Sequence, residues 1–223
     1  MLSNRIKLIA SQLNKNDRVL DIGTDHALLP IYLVKNNLVE LVDGCDISSS
    51  VLKNASDNLS RFNLANKINL YLSDGVKNVA IAKYNTLVIC GMGFYTIRDI
   101  LNNANLNTID KMIIQTNNHH SDLRRFIVSK GFKINNELWI CDQGVDYLIF
   151  RIERGSQVLS NEEAICGAYN PLNSEFYRKE MIKYKNLLRK IPTKFNDKVQ
   201  FVTYVFELYK SYASREKTEG KSR

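Results

Sequence analysis

Cysteine is scarce in this chain, and its four examples (Cys45, Cys90, Cys141, Cys166) lie far apart with no C-x-x-C pair. That spacing argues against a zinc site or a disulfide framework and for reduced thiols. No third ligand accompanies the adjacent His119 and His120 at a metal-binding spacing, so no metal is expected. No apolar run approaches the roughly 18 residues a membrane span needs. The opening MLSNRIKLIASQLNKNDR has no uninterrupted apolar stretch of signal-peptide length. Internal repeats and low-complexity tracts are also missing. These absences leave a soluble, cytoplasmic, globular protein as the expectation.

What is present fits that class. The 223 residues are 44% hydrophobic, enough for one well-packed domain with a small appendage. The net charge of +8 is unevenly placed: residues 151–223 hold 15 Lys or Arg against 9 Asp or Glu. Clustered basic charge is the electrostatic footprint of a phosphate-backbone partner. Short apolar runs closing on Gly, Asp or Asn turns (17–23, 38–47, 67–75, 85–93, 111–117) alternate with helical segments (28–37, 48–62, 94–104, 120–131), and 132–154 reads as two strands joined near Asp142–Gly144. A further short helix at the start has Leu2, Ile6, Ile9 and Leu13 on one face. Such alternation predicts an α/β fold, a Rossmann-like parallel sheet with helices on both faces, ending in an antiparallel pair. After Gly155 the pattern becomes heptad-like. Tyr177, Met181, Tyr184, Leu188 and Ile191 form one seam, Val199, Val202, Phe206, Tyr209 and Ala213 another, with Pro192 between them. The expected organisation is a catalytic domain over 1–155 and a basic antiparallel helical hairpin over 156–223, satisfied as a monomer.

Five motifs fall where strands run into helices, the ligand-binding edge of such sheets. VLDIGTDHALLP (19–30) opens like a nucleotide-binding turn at Asp21 and Gly23, but Asp25 and Ala27 stand where a full G-x-G-x-x-G has further glycines. A dinucleotide pyrophosphate needs that close backbone approach, whereas S-adenosylmethionine tolerates a less glycine-rich turn. Asp46, 23 residues after Gly23, can accept both ribose hydroxyls, or cap the helix that follows. Ser73-Asp74-Gly75 offers an acid for an adenine amine, or is an ordinary Asp-Gly turn. ICGMG (89–93) and QTNNHH (115–120) lie at the ends of the fourth and fifth strands, where Gln115, Asn117 and His119 are polar. Tyr169-Asn170-Pro171 has the look of a methyltransferase Asn-Pro turn but comes too late in the chain, and reads as a helix entry.

In order and spacing, DIGTDHALLP, SDG, ICGMG and IIQTNNH resemble the bacterial tRNA (adenine-22 N1)-methyltransferases, the TrmK family, over about residues 1–220. The resemblance implies S-adenosylmethionine as cofactor and the D-arm of tRNA as substrate. It implies cofactor contacts from Asp21, Gly23, Thr24, Asp25, His26 and Ala27, from Asp46 and Ile47, from Asp74 and Gly75, and from Gly91 and Met92. Three departures stand out: Phe94 and Tyr95 where the family tends to have a second glycine, Thr116 for a proline between Gln115 and Asn117, and Asp46 for a glutamate. On this reading Asp25, Gln115 and Asn117 serve catalysis. Phe94 or Tyr95 stacks on the target base, and Arg178, Lys179, Lys183, Arg189 and Lys190 grip the tRNA. The competing classes are a methyltransferase for another RNA or a small molecule, a nucleotide-dependent oxidoreductase, and an RNA-binding module with a vestigial Rossmann domain.

Overall fold

The computed structural model describes residues 3–192 and 194–219, with side chains to Arg215. Its centre is a seven-stranded sheet in the order β3-β2-β1-β4-β5-β7-β6. The strands are β1 (Arg18–Ile22), β2 (Leu41–Asp46), β3 (Leu70–Leu72), β4 (Thr86–Met92), β5 (Lys111–Thr116), β6 (Phe132–Asp142) and β7 (Val145–Arg154). The first five are parallel, β7 is antiparallel to β5, and β6 and β7 form a hairpin. The central strands read as continuous apolar runs because both faces are covered. Val19, Val88 and Ile113 enter one core with Ile9, Leu33 and Leu59, while Leu20, Ile89 and Ile114 enter the other with Ile97, Leu123 and Ile127. The helices supplying these cores are α1 (Asn4–Ala10), α2 (Leu28–Lys35) and α3 (Ser49–Arg61) on one side, and α4 (Phe94–Asn102) and α5 (His120–Ser129) on the other.

Boundaries differ from the sequence expectation for local reasons. Helix α2 stops at Lys35 because Asn37 takes a left-handed conformation (φ 52°). Strand β2 begins at Leu41, after a turn in which the Glu40 and Leu41 amides donate to the Asp17 carbonyl. Of the expected apolar face of α1, Leu2 lies outside the described residues and Leu13 beyond the helix end, and Ile9 is its buried anchor.

Helix α6 (Asn161–Cys166), which the sequence pattern did not reveal, carries a capping box between Ser160 and Glu163. The Asn170–Pro171 turn leads into α7 (Ser174–Leu188) as expected, and α8 (Asn196–Glu219) returns antiparallel to it, with Tyr177 against Tyr212 and Tyr184 against Tyr209. The buried face of α8 is wider than one heptad seam. It comprises Val202, Val205, Leu208, Tyr209 and Tyr212, because α8 packs on α6 and the sheet core as well as on α7. Tyr209 and Tyr212 donate to the carbonyls of Ile165 and Gly167. Arg124, fully buried on α5, ties these parts together. It makes a bidentate pair with Glu137 of β6 (2.8 and 2.7 Å) and donates to the Ala164 and Ile165 carbonyls at the end of α6.

Candidate active site

At the carboxyl edge of the sheet, β1 passes into α2 through a turn whose alternate residues are left-handed: Gly23 (φ 74°), Asp25 (φ 51°) and Ala27 (φ 56°). Asp25 and Ala27 thus keep the backbone path of a glycine-rich loop without its glycines. Each such non-glycine conformation costs about 1 kcal/mol or more, strain of the kind that concentrates at ligand sites. The Gly23 and Thr24 amides both donate to the Cys45 carbonyl, which pins the turn to β2. At Gly23 a Cβ would meet the terminal methyl of Met92, which would have to shift, and the left-handed φ of 74° favours glycine further.

Asp21 lies beneath this turn, 6% exposed. Burial pushes its carboxyl up to about 7, partly offset by the Thr24 hydroxyl, which donates to it at 2.8 Å. Asp25 is exposed, with Oδ1 3.6 Å from His26 Nε2. Both acids line a cavity of about 100 Å³ with Thr24, His26, Cys90 and Arg5. Arg5 is a site residue that sequence reasoning missed. It reaches in from α1, donating through Nη1 to Gln115 Oε1 (3.4 Å) and lying over the Tyr147 ring, while its amide donates to Asp142. No local motif marks it, because its partners lie more than a hundred residues away.

One strand along, Asp46 ends β2. Its Oδ1 accepts the Ser48 amide (2.9 Å), but Ser48 itself caps α3, so Asp46 Oδ2 stays available for a ligand. Ile47 beside it is 70% exposed, an apolar surface without a cover. Asp74 pairs with Lys77 (2.6 Å) at the surface, and Gly75 follows it in the left-handed region.

On the other flank, β4 bulges at Gly91 (φ 82°). The Gly91 amide donates to Gln115 Oε1 (3.0 Å), Gln115 Nε2 to Asn117 Oδ1 (3.0 Å), and Asn117 Nδ2 to the Gly91 carbonyl (2.9 Å). This closed ring corrects one expectation. Gln115 is 1% exposed and fully engaged, so it positions the bulge and the exposed Asn117 amide rather than touching a substrate. A second correction concerns Phe94, which is buried in the core with its amide donating to Asn118, and cannot present its ring to a base. Tyr95 is 54% exposed, with its ring 5.2 Å from that of His119.

The basic residues of α7 are also divided. Lys179 is half-exposed and pairs with Asp146 (2.7 Å) beside the Trp139 ring on the β6–β7 hairpin. Lys183 pairs with Glu180, Arg178 donates to Ser174, and Arg189 and Lys190 lie exposed at the end of α7.

The donor set suits a cationic adenosyl ligand with an amino-acid end: Asp46 for a diol, Ile47 for an apolar ring, Asp21 and Asp25 for positive charge, and Arg5 for a carboxylate. Residues 2–150 match the model of the methyltransferase domain family. The chain is 33% identical over 138 residues to a Mycoplasma genitalium protein provisionally named a tRNA methyltransferase, a match covering 61% of this chain and 62% of that protein. It is 25% identical over 158 residues to the tRNA (adenine(22)-N(1))-methyltransferase of Bacillus subtilis, covering 70% of this chain and 66% of that one. The chain therefore spans slightly less than two thirds of the length of these two relatives. Among solved structures, TrmK of M. capricolum in complex with S-adenosyl-homocysteine superposes with a TM-score of 0.84 at 31% identity, over 96% of this chain and 98% of that one. The chain belongs to the methyltransferase domain family and, within it, to the TrmK family.

Proposed function

We propose that this chain is a tRNA methyltransferase that transfers a methyl group from S-adenosylmethionine to N1 of adenine 22 in the D-arm. The observation that carries the reading is the convergence, at one sheet edge, of the left-handed turn 23–27, Asp46, and the Gly91 bulge with its Asn117 amide. The names of the relatives supply the tRNA position. When bound, the cofactor supplies a sulfonium methyl, which the N1 lone pair takes as the S–CH3 electron pair returns to sulfur. Neutral adenine N1 already carries that lone pair, so the protein needs no general base, and its work is positioning and electrostatics. Asp46 accepts from the ribose hydroxyls. Asp21 and Asp25 set negative charge beside the cofactor's cationic end, and Arg5 takes its carboxylate. Gln115 fixes the orientation of Asn117, whose amide meets the exocyclic amine of the target. Asp25 also stabilises the positive charge that methylation leaves on the ring.

Because N1 lies on the Watson–Crick edge, the base must leave its stack, at a cost of a few kcal/mol. Tyr95 and His119 flank the opening that receives it. Residues 1–155 perform the chemistry, and Arg178, Lys183, Arg189 and Lys190 in the 156–223 region hold the phosphate backbone, with the salt sensitivity such contacts bring. The enzyme works as a cytoplasmic monomer, with Tyr177 and Tyr184 of α7 packed on Tyr212 and Tyr209 of α8, although Ile182, Phe201 and Tyr204 stay exposed on the outer faces of this pair. No helix among the described residues is long and apolar enough to cross a membrane.

The test is methyl transfer from labelled cofactor to unmodified tRNA transcripts carrying adenosine or guanosine at position 22. Incorporation with adenosine alone, and recovery of 1-methyladenosine, is the expected result. Equal labelling of both would discard the target. Unchanged single-turnover rates in both Asp25→Asn and Asn117→Ala would discard the assigned roles.

A further inference from the structure

Beside the active site runs a second, larger groove, of about 710 Å³, between α1, α2, the end of α3 and the β6–β7 turn. Ile6 and Leu28 line both this groove and the small cavity that holds Asp21 and Asp25, so the two spaces share a wall. The floor is apolar, formed by Ile31, Tyr32 and Phe62. Phe62 and Leu28 are each 41% exposed and together give the groove an exposed apolar patch. Lys35 sets its ammonium 4.6 Å from the Phe62 ring centroid, and the side chains of Asn36 and Gln143 complete the rim. Among the described residues that line the groove, none is acidic.

We infer that this groove is a second nucleotide subsite, which receives a base adjacent to the target. The inference rests on the functional reading above. An aromatic ring and flat aliphatic surface suit the face of a base, amide side chains suit its polar edge, and a lysine in a groove lined by no acidic residue suits its phosphate. A small apolar ligand would have no use for the lysine and the amides. Extruding the target from its stack also leaves a neighbouring base with a bare face. The groove lies one wall from the cavity lined by Asp25, which on the reading above faces the target ring, and offers that bare face a replacement surface. Helix α1 lies between the two spaces, with Ile6 on their shared wall and Arg5 reaching into the active site. Occupation of the groove thus also braces the helix that carries Arg5.

The test compares wild type with Phe62→Leu, Phe62→Tyr and Lys35→Gln, on intact transcripts and on transcripts made abasic at either nucleotide flanking position 22. Both methyl transfer and transcript binding are read. Phe62 stands at the exposed end of α3, and the leucine keeps most of its volume, so the fold is retained. Phe62→Leu should raise KM for the intact transcript about tenfold, the range of one lost stacking contact, with KM for the cofactor and kcat unchanged. Phe62→Tyr should restore it, and Lys35→Gln should weaken binding and lessen its salt dependence. One of the two abasic transcripts should bind wild type about tenfold more weakly, and Phe62→Leu should add nothing further on it. Multiplicative effects of variant and abasic site, or an unchanged KM in Phe62→Leu, would overturn the subsite while leaving the methyltransferase reading intact. Loss of the base-dependent binding in Phe62→Leu, in a protein that methylates no transcript, would sink the functional reading and keep the subsite.

Discussion

Replacing Asp21 by Asn should stabilise the free protein at pH 8 while weakening its hold on the cofactor. The wild-type carboxyl, ordinarily near 3.8, is pushed up to about 7 by burial. Keeping it ionised above pH 7 therefore costs roughly 4 kcal/mol relative to the unfolded chain. Asparagine has the same shape, can accept the same Thr24 hydrogen bond (2.8 Å), and carries no charge to desolvate. Allowing for relaxation and water entry, about half of that cost should appear as a gain. At a few degrees per kcal/mol for a chain of this size, that is a rise of roughly 4–8 °C in Tm.

The sign follows from the direction of the shift. With the folded value above the unfolded one, the wild type bears no penalty below about pH 4, an increasing one from there to about 7, and the full penalty beyond. The difference in Tm between variant and wild type should trace that same curve. Cofactor affinity should respond oppositely. A cationic ligand favours the ionised carboxyl, so wild-type affinity should climb as pH rises towards 7, with proton release, and the variant should be flat. Thermal unfolding across about pH 4.5–8.5 and titration calorimetry in buffers of different ionisation enthalpy would measure both. A stability gain independent of pH, or wild-type binding equally tight at pH 6 and pH 8, would refute the account of Asp21.

Two further outcomes follow from other parts of the molecule. Asp46→Ala should weaken cofactor binding roughly 10–100-fold, the worth of hydrogen bonds to a charged acceptor, with a change in Tm of only a degree or two because Ser48 still caps α3; calorimetry beside a thermal melt separates the two effects. Arg124→Met should cost about 3–5 kcal/mol in denaturant unfolding, since it strands the buried Glu137 carboxylate, and adding Glu137→Leu should recover much of that loss.

The fold class and much of the site were legible in the chain because their signals are local. Each strand that ends in Gly or acid carries its own turn chemistry, so Asp21, Gly23, Asp46 and Gly91 could be placed at one edge from the alternation of elements alone. Helix α6 escaped notice because six residues are too few to display a period. The face of α8 was drawn too narrow because its pattern was read against a single partner helix. Gln115 and Phe94 illustrate a different limit: residue type and strand-end position announce a polar or aromatic group, but not whether its neighbours have already used it.

The sequence by itself determined the α/β order, the acidic and glycine positions at the carboxyl edge of the sheet, and the basic bias of the last third, because these depend on spacing and composition. Only the tertiary structure decided that Asp25 and Ala27 hold glycine-like conformations. It likewise brought Arg5 from the first helix into the site, committed Lys179 to Asp146, and opened a groove beside the active centre between four separate elements. Each of these depends on contacts between residues far apart in the chain, and no local pattern encodes which distant surface a side chain will meet.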